Sequence, residues 1–319
     1  MQFSLVLTTS LCLLPFLSAA PLSTRAEGLD LDIQVLQLGL YLEHLEFNFF
    51  TLGYQNFTDS DYTKAGFASG FRDTIKVIAD QEADHIATIT NALNSIGITP
   101  VPACAYWFPF NSTETFVSLA NMITSVGIGA YIGASENLIN SSPLLNSALS
   151  ILTVEARHDA FLRLGLGASP FPEPYDTALT GIFAYNLAKA FVPWCPTSAA
   201  LSDWLPPVLP TLTLLGPAPP ITLQPAVSAG TPLKFSWDPT TFLYEVKPST
   251  QLYIMLFNQI ADQTPLAIKL AGNNTGTVPI PVGFGGAVFA VLGVPAGLNK
   301  LANSTDFTVL AGPALVVLS

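Results

Sequence analysis

The chain has 319 residues, of which half are hydrophobic and only 10% are charged. Its formal net charge is -11 and its pI is about 4.5. The chain has too few basic side chains to neutralise a phosphate backbone, and its composition therefore excludes a nucleic-acid-binding protein. The negative charge also disfavours electrostatic docking on an anionic membrane.

The N-terminus is predicted to be a secretory signal peptide that spans residues 1–20. The segment is apolar, carries no charge before Arg25, and ends with small residues that suit cleavage near Ala19 or Ala20. An N-terminal membrane anchor is the alternative, but the apolar run is short for a span of about 20 residues. The sequence therefore predicts a secreted protein, located outside the cell or in the cell wall.

Cysteines and glycosylation motifs agree with an oxidising compartment. Cleavage of the signal removes Cys12 and leaves Cys104 and Cys195, which predict one disulfide that closes a long loop. Two separately buried thiols are the alternative. Five N-x-[ST] motifs fall where loops or element ends are expected, and they predict N-glycosylation at Asn56, Asn111, Asn140, Asn273 and Asn303.

Residues 28–197 are predicted to form a helical bundle, with four long helices and a shorter fifth. Hydrophobic residues recur with a helical period along this part of the chain. Ser142 is the predicted N-cap of the fourth helix, with Pro143 at its first helical position. The approximate spans of the five helices are 33–53, 67–96, 113–138, 143–165 and 177–192.

From residue 198 the composition changes. Residues 198–225 are rich in proline and are predicted to be a linker that lies against one domain. Residues 226–319 contain short β-type runs separated by turn residues, which predict a small antiparallel β-sandwich. Since no enzyme motif occurs there, we expect a structural or adhesive role. The apolar C-terminus is predicted to be a final strand, with a lipid-anchor signal as the alternative.

Glu-x-x-His occurs in both the second and the fourth predicted helix, and these motifs contain two of the three histidines in the chain. Residues i and i+3 project from one face of a helix, so each motif directs a carboxylate and an imidazole to one point. Burial of such groups without a metal is costly. Two facing helices therefore predict a metal site with the ligands Glu82, His85, Glu155 and His158, although a single motif of this kind is usually a solvated face. Carboxylate and imidazole ligands favour iron or manganese.

In the motifs LYLEHLEFNFF, QEADH, VGIGAYIGA and VEARHDAFLR, the chain resembles the ferritin-like superfamily. More narrowly, it is similar to fungal secreted ferritin-like proteins of the stress-response or desiccation-related group, over about residues 30–195. The resemblance implies an all-α ferritin-like four-helix bundle followed by a small all-β antiparallel sandwich. It also implies a dimetal site, with one Glu from each of two helices and Glu-x-x-His from each of the other two.

The resemblance further implies how the first and third helices contribute to this site. The first helix supplies Glu43, with Glu46 as an alternative or extra ligand. The third helix departs from the pattern, because Thr124 occupies the position where a carboxylate is expected. Either Glu46 compensates, or the site holds a single metal, or it is degenerate. Tyr131 lies on the same inward line as Thr124 and is predicted to support a ligand carboxylate, with ordinary core packing as the alternative.

Two functions are compatible with these residues. The first is a secreted iron or manganese carboxylate protein, mononuclear or dinuclear, that handles metal or acts on peroxide or dioxygen in a stress response, as a catalase-like or oxidase-like oxidoreductase. The second is a non-catalytic scaffold of the cell wall or surface with a degenerate metal site. The expected partners are metal ions and small oxidants. A hydrolase is disfavoured because G-x-S-x-G and H-E-x-x-H are absent from the sequence.

Overall fold

The computed structural model describes residues 23–196, 203–216, 229–260, 263, 265–295 and 307–318, with side chains from residue 31 onward. Within these ranges, a helical bundle is followed by an antiparallel β-region. This architecture confirms the predicted fold class. The predicted signal peptide, residues 1–20, lies outside the described residues.

Four long helices form the bundle: α1 (Ser23–Asn56), α3 (Phe71–Ser95), α4 (Thr113–Ser135) and α5 (Ser142–Gly165). Helix α1 packs mainly against α3, and α4 packs mainly against α5. Two short helices, α2 (Asp59–Lys64) and α6 (Gly181–Lys189), complete the helical part. The long helices place the Glu-x-x-His motifs on α3 and α5.

Several details of the helices differ from the prediction, and the largest is that α1 begins at Ser23 instead of near residue 33. The loop after α1 contains the unpredicted helix α2, which begins with a capping box between Thr58 and Asp61. Helix α5 begins one residue earlier than expected, because Ser141 is its N-cap. Helix α6 is shorter than the predicted span 177–192, since residues 177–180 run alongside α4 before the helix begins.

Helix α4 is the most apolar of the long helices and is mostly buried. By length and hydropathy alone it could cross a membrane, but core helices of soluble proteins pass the same test when they are buried in this way. The segment that precedes α6 packs against the glycines of α4. A Cβ at Gly133 would lie 1.8 Å from the carbonyl oxygen of Leu179, and the Leu179 amide donates to the Gly129 carbonyl at 2.8 Å. The small residues of GIGAYIGA thus allow an extended segment to pack closely against α4.

The β-region is a sandwich of two four-stranded antiparallel sheets, with strand orders β1-β2-β6-β5 and β4-β3-β7-β8. Strand β1 lies inside the segment that was predicted to be linker, so that prediction missed the first strand of the sandwich. The strands are β1 (Leu212–Gly216), β2 (Pro232–Trp237), β3 (Tyr253–Phe257), β4 (Pro265–Ala267), β5 (Lys269–Gly272), β6 (Thr275–Pro279), β7 (Gly286–Pro295) and β8 (Phe307–Leu318).

The sheet β4-β3-β7-β8 is buried on both faces. Phe289 and Val317 belong to the core cluster that includes the bundle, whereas their neighbours Val288 and Val316 belong to the cluster inside the sandwich. Side chains alternate between the faces of a strand, which explains why β8 is buried along its whole length. The apolar C-terminal segment is therefore a buried strand that contributes to both clusters, and a final strand is what its sequence predicted.

The predicted disulfide between Cys104 and Cys195 is present and spans 91 positions of sequence. It joins the segment after α3 to the segment after α6, where the Ala105 amide donates to the Trp194 carbonyl at 2.8 Å. The bond thus ties together the two chain segments that flank the second half of the bundle.

The predicted glycosylation sites that the structure describes lie at the edges of elements. Four of them are exposed: Asn56, Asn111, Asn140 and Asn273. Asn303 lies outside the described residues. Exposure is what a glycosylated asparagine requires, and glycosylation itself stays a prediction.

Candidate metal centre

All six predicted metal ligands are buried inside the bundle. Helix α1 contributes Glu43 and Glu46, α3 contributes Glu82 and His85, and α5 contributes Glu155 and His158, each with at most 8% of its surface exposed. The i,i+3 spacing places both members of each motif on the inward face of their helix.

Four of these residues converge on a common point. Ligand atoms of Glu43, Glu82, His85 and Glu155 all lie within 4.8 Å of one another. At the centre of this group, His85 Nδ1 lies 3.2 Å from Glu43 Oε2, 3.0 Å from Glu82 Oε2 and 3.3 Å from Glu155 Oε1. A ring nitrogen carries at most one hydrogen, so it cannot donate to three carboxylates at once. The arrangement fits a cation between the nitrogen and the oxygens better than it fits a hydrogen-bond network.

His158 lies beside this group and faces two of the same carboxylates. Its Nδ1 lies 3.2 Å from Glu82 Oε1 and 3.4 Å from Glu155 Oε2. Glu82 and Glu155 therefore each direct one oxygen toward His85 and the other toward His158. This is the arrangement that two carboxylates need in order to bridge two ions.

Gln81 orients His158, and the sequence analysis did not single it out. The Oε1 atom of Gln81 lies 2.7 Å from His158 Nε2, so the ring donates its Nε2 hydrogen to the amide oxygen. The Nδ1 lone pair is then free to face the carboxylates, as a metal ligand requires. Gln81 directly precedes Glu82 in the sequence, but nothing in that spacing predicts a contact with a residue on α5.

Thr124 and Glu46 lie where the centre has fewer ligands than the resemblance implies. Thr124 is fully buried, and no hydrogen-bond partner for its hydroxyl occurs among the described residues. Glu46 packs against α4 one turn further on, where a Cβ at Gly127 would lie 2.6 Å from Glu46 Oε1. Its other oxygen, Oε2, also has no partner within the described ranges. Glu46 therefore approaches the centre from α1 on the side where α4 supplies a threonine, but it is not among the four converging ligands.

Polar side chains of α4 support the ligands from outside. The Tyr131 hydroxyl donates a hydrogen bond to Glu43 Oε1, which is the contact that the sequence predicted for it. Asp159, next to His158 in sequence, accepts hydrogen bonds from Asn121 at 2.5 Å and from Ser125 at 3.2 Å. Asn121 and Ser125 were not predicted, because isolated polar residues in an apolar helix give no indication of a partner.

Burial and mutual repulsion govern the protonation of the carboxylates. Burial raises the pKa of Glu43 to about 8 and that of Glu46 well above its usual range, with the neighbouring carboxylates adding to both shifts. Burial also acts to raise the pKa of Glu82, but hydrogen bonds from His158 and His85 outweigh it and lower that pKa to about 2.

Burial acts on the imidazoles in the opposite sense to its action on the carboxylates, because the charged form of an imidazole is the protonated one. Burial acts to lower their pKa values, but hydrogen bonds to the carboxylates outweigh it and raise the pKa of His85 to about 12 and that of His158 to about 9. Without another cation, the two imidazoles thus hold the positive charge that the carboxylates demand. Four carboxylates face two imidazoles, so full ionisation leaves an uncompensated negative charge in the core.

Comparison with known proteins agrees with this geometry. A family model described as a ferritin-like domain matches residues 31–168, which include every predicted ligand. A curated relative, Protein rds1 from Schizosaccharomyces pombe (strain 972 / ATCC 24843), is 27% identical over 318 residues, and the alignment covers 90% of this chain and 76% of the relative. Residues 31–168 are thus similar to a ferritin-like domain, and the similarity to the relative extends into the β-region.

Proposed function

We propose that the ferritin-like domain of residues 31–168 binds two divalent metal ions, iron or manganese, and uses them in redox chemistry or metal handling outside the cell. One observation carries the proposal: buried ligand atoms of Glu43, Glu82, His85 and Glu155 lie within 4.8 Å of one another. Carboxylate oxygens and imidazole nitrogens suit iron and manganese.

Charge balance supports two ions over one. The buried carboxylates of Glu43, Glu46, Glu82 and Glu155 carry four negative charges when they are ionised. Two divalent ions bound by neutral imidazoles cancel that charge, whereas a single ion leaves two negative charges that protonation of His158 and Glu46 would have to cancel in a medium of low dielectric. The first ion would be held by Glu43 and His85, the second by His158, and both by Glu82 and Glu155.

The second position has the weaker set of ligands. Thr124 stands where a fourth carboxylate is expected, so Glu46 is the nearest residue able to complete the set from α1. We therefore expect the two ions to bind with different affinities, the ion at His85 more tightly. Gln81 and Tyr131 would orient His158 and Glu43, a contribution typically worth about 10-fold to 100-fold in metal affinity.

Bound iron or manganese would supply the electron transfer for reactions of peroxide or dioxygen. Disproportionation of hydrogen peroxide is one balanced possibility, since two peroxides give two waters and one dioxygen without an outside reductant. The residues of this chain would hold the ions, exclude bulk water through the apolar bundle, and keep the Tyr131 hydroxyl as a proton-carrying group beside them. A role in stress response follows from this chemistry as part of the proposal.

Secretion is also part of the proposal. Three features support it: the apolar N-terminus, the Cys104–Cys195 disulfide and four exposed N-x-[ST] asparagines. Disulfides persist mainly in oxidising compartments.

A non-catalytic scaffold of the cell wall or surface is the second candidate. The observation that favours it is Thr124, a fully buried threonine of α4 at the position where the resemblance implies a carboxylate. On this view the β-sandwich is the functional part and the bundle supports it.

Metal analysis of the secreted protein separates the two candidates. The protein is purified without chelators, and its iron and manganese are counted by mass spectrometry before and after reconstitution. We expect close to two ions per chain, and close to none in the double variant His85→Ala, His158→Ala with its helical circular dichroism retained. An unmodified chain that retains neither metal after reconstitution would overturn the metal proposal and leave the scaffold.

A further inference from the structure

A second feature of the bundle is a cavity of about 100 Å³ between α1, α3, α4 and α5. Its walls are mainly aliphatic. They include Leu42 of α1, Ile89 of α3, Ala130 of α4 and Ile151 of α5. Glu43, Glu46 and Tyr131 also line it, so the cavity reaches the candidate metal centre. An apolar wall supplies no ligand to a metal ion, so the metal centre alone does not explain why this cavity is present.

The cavity is long and narrow. Along α1 its lining runs from Val35 to Glu46, which is about 16 Å at a rise of 1.5 Å per residue. A volume of about 100 Å³ spread over that length corresponds to a narrow passage, which fits one methylene chain better than a ring or a branched skeleton.

The two ends of the cavity are polar. The outer end is lined by Asn137 and Ser147, which are exposed to solvent near the α4–α5 turn. At the inner end Glu46 is only 5% exposed, and its Oε2 has no hydrogen-bond partner in the part of the chain that the structure describes. An apolar passage thus leads from a polar mouth to buried carboxyl groups.

We propose that this cavity binds a single unbranched alkyl chain, with an uncharged polar head group at the mouth and the last carbons beside Glu43 and Glu46. Aliphatic walls favour the chain because its transfer removes apolar surface from water. The buried acidic groups disfavour entry of an anionic head, so the tail enters first. The inference rests on the proposed function in one respect, which is that the chain end would lie next to the metal ions.

The width of the cavity is tested on the metal-free protein with a series of linear 1-alkanols, with calorimetric measurement of affinity. We expect the affinity to rise about fourfold for each added methylene until the cavity is full. Cyclic and branched alcohols with the same number of carbons should bind at least tenfold more weakly. Equal affinities for linear and branched isomers would overturn the proposal.

A pair of variants on α3 tests the location. Ala92 lines the cavity and is half-buried, whereas Ala87 on the same helix is exposed and lies outside the lining. We expect Ala92→Leu to lower the affinity for the best alkanol at least tenfold, and Ala87→Leu to leave it unchanged. Unchanged affinity in a folded Ala92→Leu variant would contradict the proposed location.

The orientation is tested with the manganese-loaded protein and an alkanol labelled with ¹³C at either end. We expect the terminal methyl signal to broaden more than the C1 signal, and the reverse order would contradict the orientation. Failure of metal uptake would contradict the metal proposal but not the alkyl-chain proposal, because the alkanol series is measured without metal. Metal-loaded protein that takes up no alkanol would sink this inference alone.

Discussion

Gly127 is the residue at which α4 makes room for a carboxyl group of α1. A Cβ there would lie 2.6 Å from Glu46 Oε1, whereas a Cβ at Gly39 would make an ordinary contact of 3.5 Å with Ile89 Cδ1. Both glycines lie inside helices, where alanine is favoured by about 1 kcal/mol. The two positions therefore separate the effect of helix propensity from the effect of a displaced carboxyl group.

We predict opposite signs for the two substitutions. Gly39→Ala should raise the free energy of unfolding by about 0.5–1 kcal/mol, the usual gain in helix propensity. Gly127→Ala should lower it by about 1–3 kcal/mol, because overpacking displaces the buried Glu46. Urea unfolding of the metal-free variants measures both. Stabilisation by Gly127→Ala as well would show that Glu46 moves away freely and has no fixed position in the centre.

The protonation of the centre predicts how the stability of the metal-free protein depends on pH. The pKa of Glu43 is raised from 4.5 to about 8, so the folded state keeps a proton that the unfolded state releases, and stability falls as pH rises through this window. The pKa of His158 is raised from 6.5 to about 9, so its contribution is full below pH 6.5 and is lost as pH rises through 9.

Both groups thus act in the same direction, and we expect the free energy of unfolding to fall by several kcal/mol, at most about 7 kcal/mol, between pH 5 and pH 9. Urea titrations in the presence of a chelator measure the slope. Glu43→Gln is the matched control, since it removes one titrating group and should flatten the slope between pH 4.5 and pH 8. Stability that rises over this range in the metal-free protein would contradict the assignment of these protons.

At the scale of elements, hydrophobic periodicity predicted all four long helices and the two motifs that face each other, because each helix buries one stripe over many turns. It missed α2 (Asp59–Lys64), whose formation depends on a local capping box and not on a long apolar stripe. The span of α6 was overestimated for a related reason. Residues 177–180 are apolar enough for a helix, but they pack as extended chain against the glycines of α4.

The strands show a different limit. Residues 266–270 form a single β-type run in the sequence, but the chain there divides into β4 (Pro265–Ala267) and β5 (Lys269–Gly272), which belong to different sheets. Strand β1 (Leu212–Gly216) was hidden among prolines. In both cases the pairing partner decides the structure, since β-propensity depends on the neighbouring strand and on burial. The same reasoning applies at the centre, where spacing predicted the ligands on each helix but gave no sign of Gln81, a contact between helices.

At the scale of the whole molecule, the bundle and the sandwich are not independent. Met255, Phe289 and Val317 of the inner sheet belong to the same core cluster as α1, α3 and α4. The rings of Phe183 on α6 and Phe257 on β3 lie 5.6 Å apart. The Arg163 guanidinium of α5 donates to the carbonyl of Leu318 at 3.1 Å. Since apolar surface is continuous across the boundary, neither part buries its core fully without the other.

We therefore predict a single cooperative unfolding transition for the whole chain. Phe289 and Phe235 are both fully buried, but Phe289 lies in the core shared with the bundle and Phe235 lies between the two sheets. Each substitution by alanine should cost about 3–5 kcal/mol and lower the same transition, observed by helical circular dichroism and by calorimetry. If Phe235→Ala instead produced an early transition with the helical signal intact, the sandwich would unfold separately. The candidate metal centre would then depend on the bundle alone, whereas a single transition means that packing far out in the sandwich helps to hold the ligands of α3 and α5 in place.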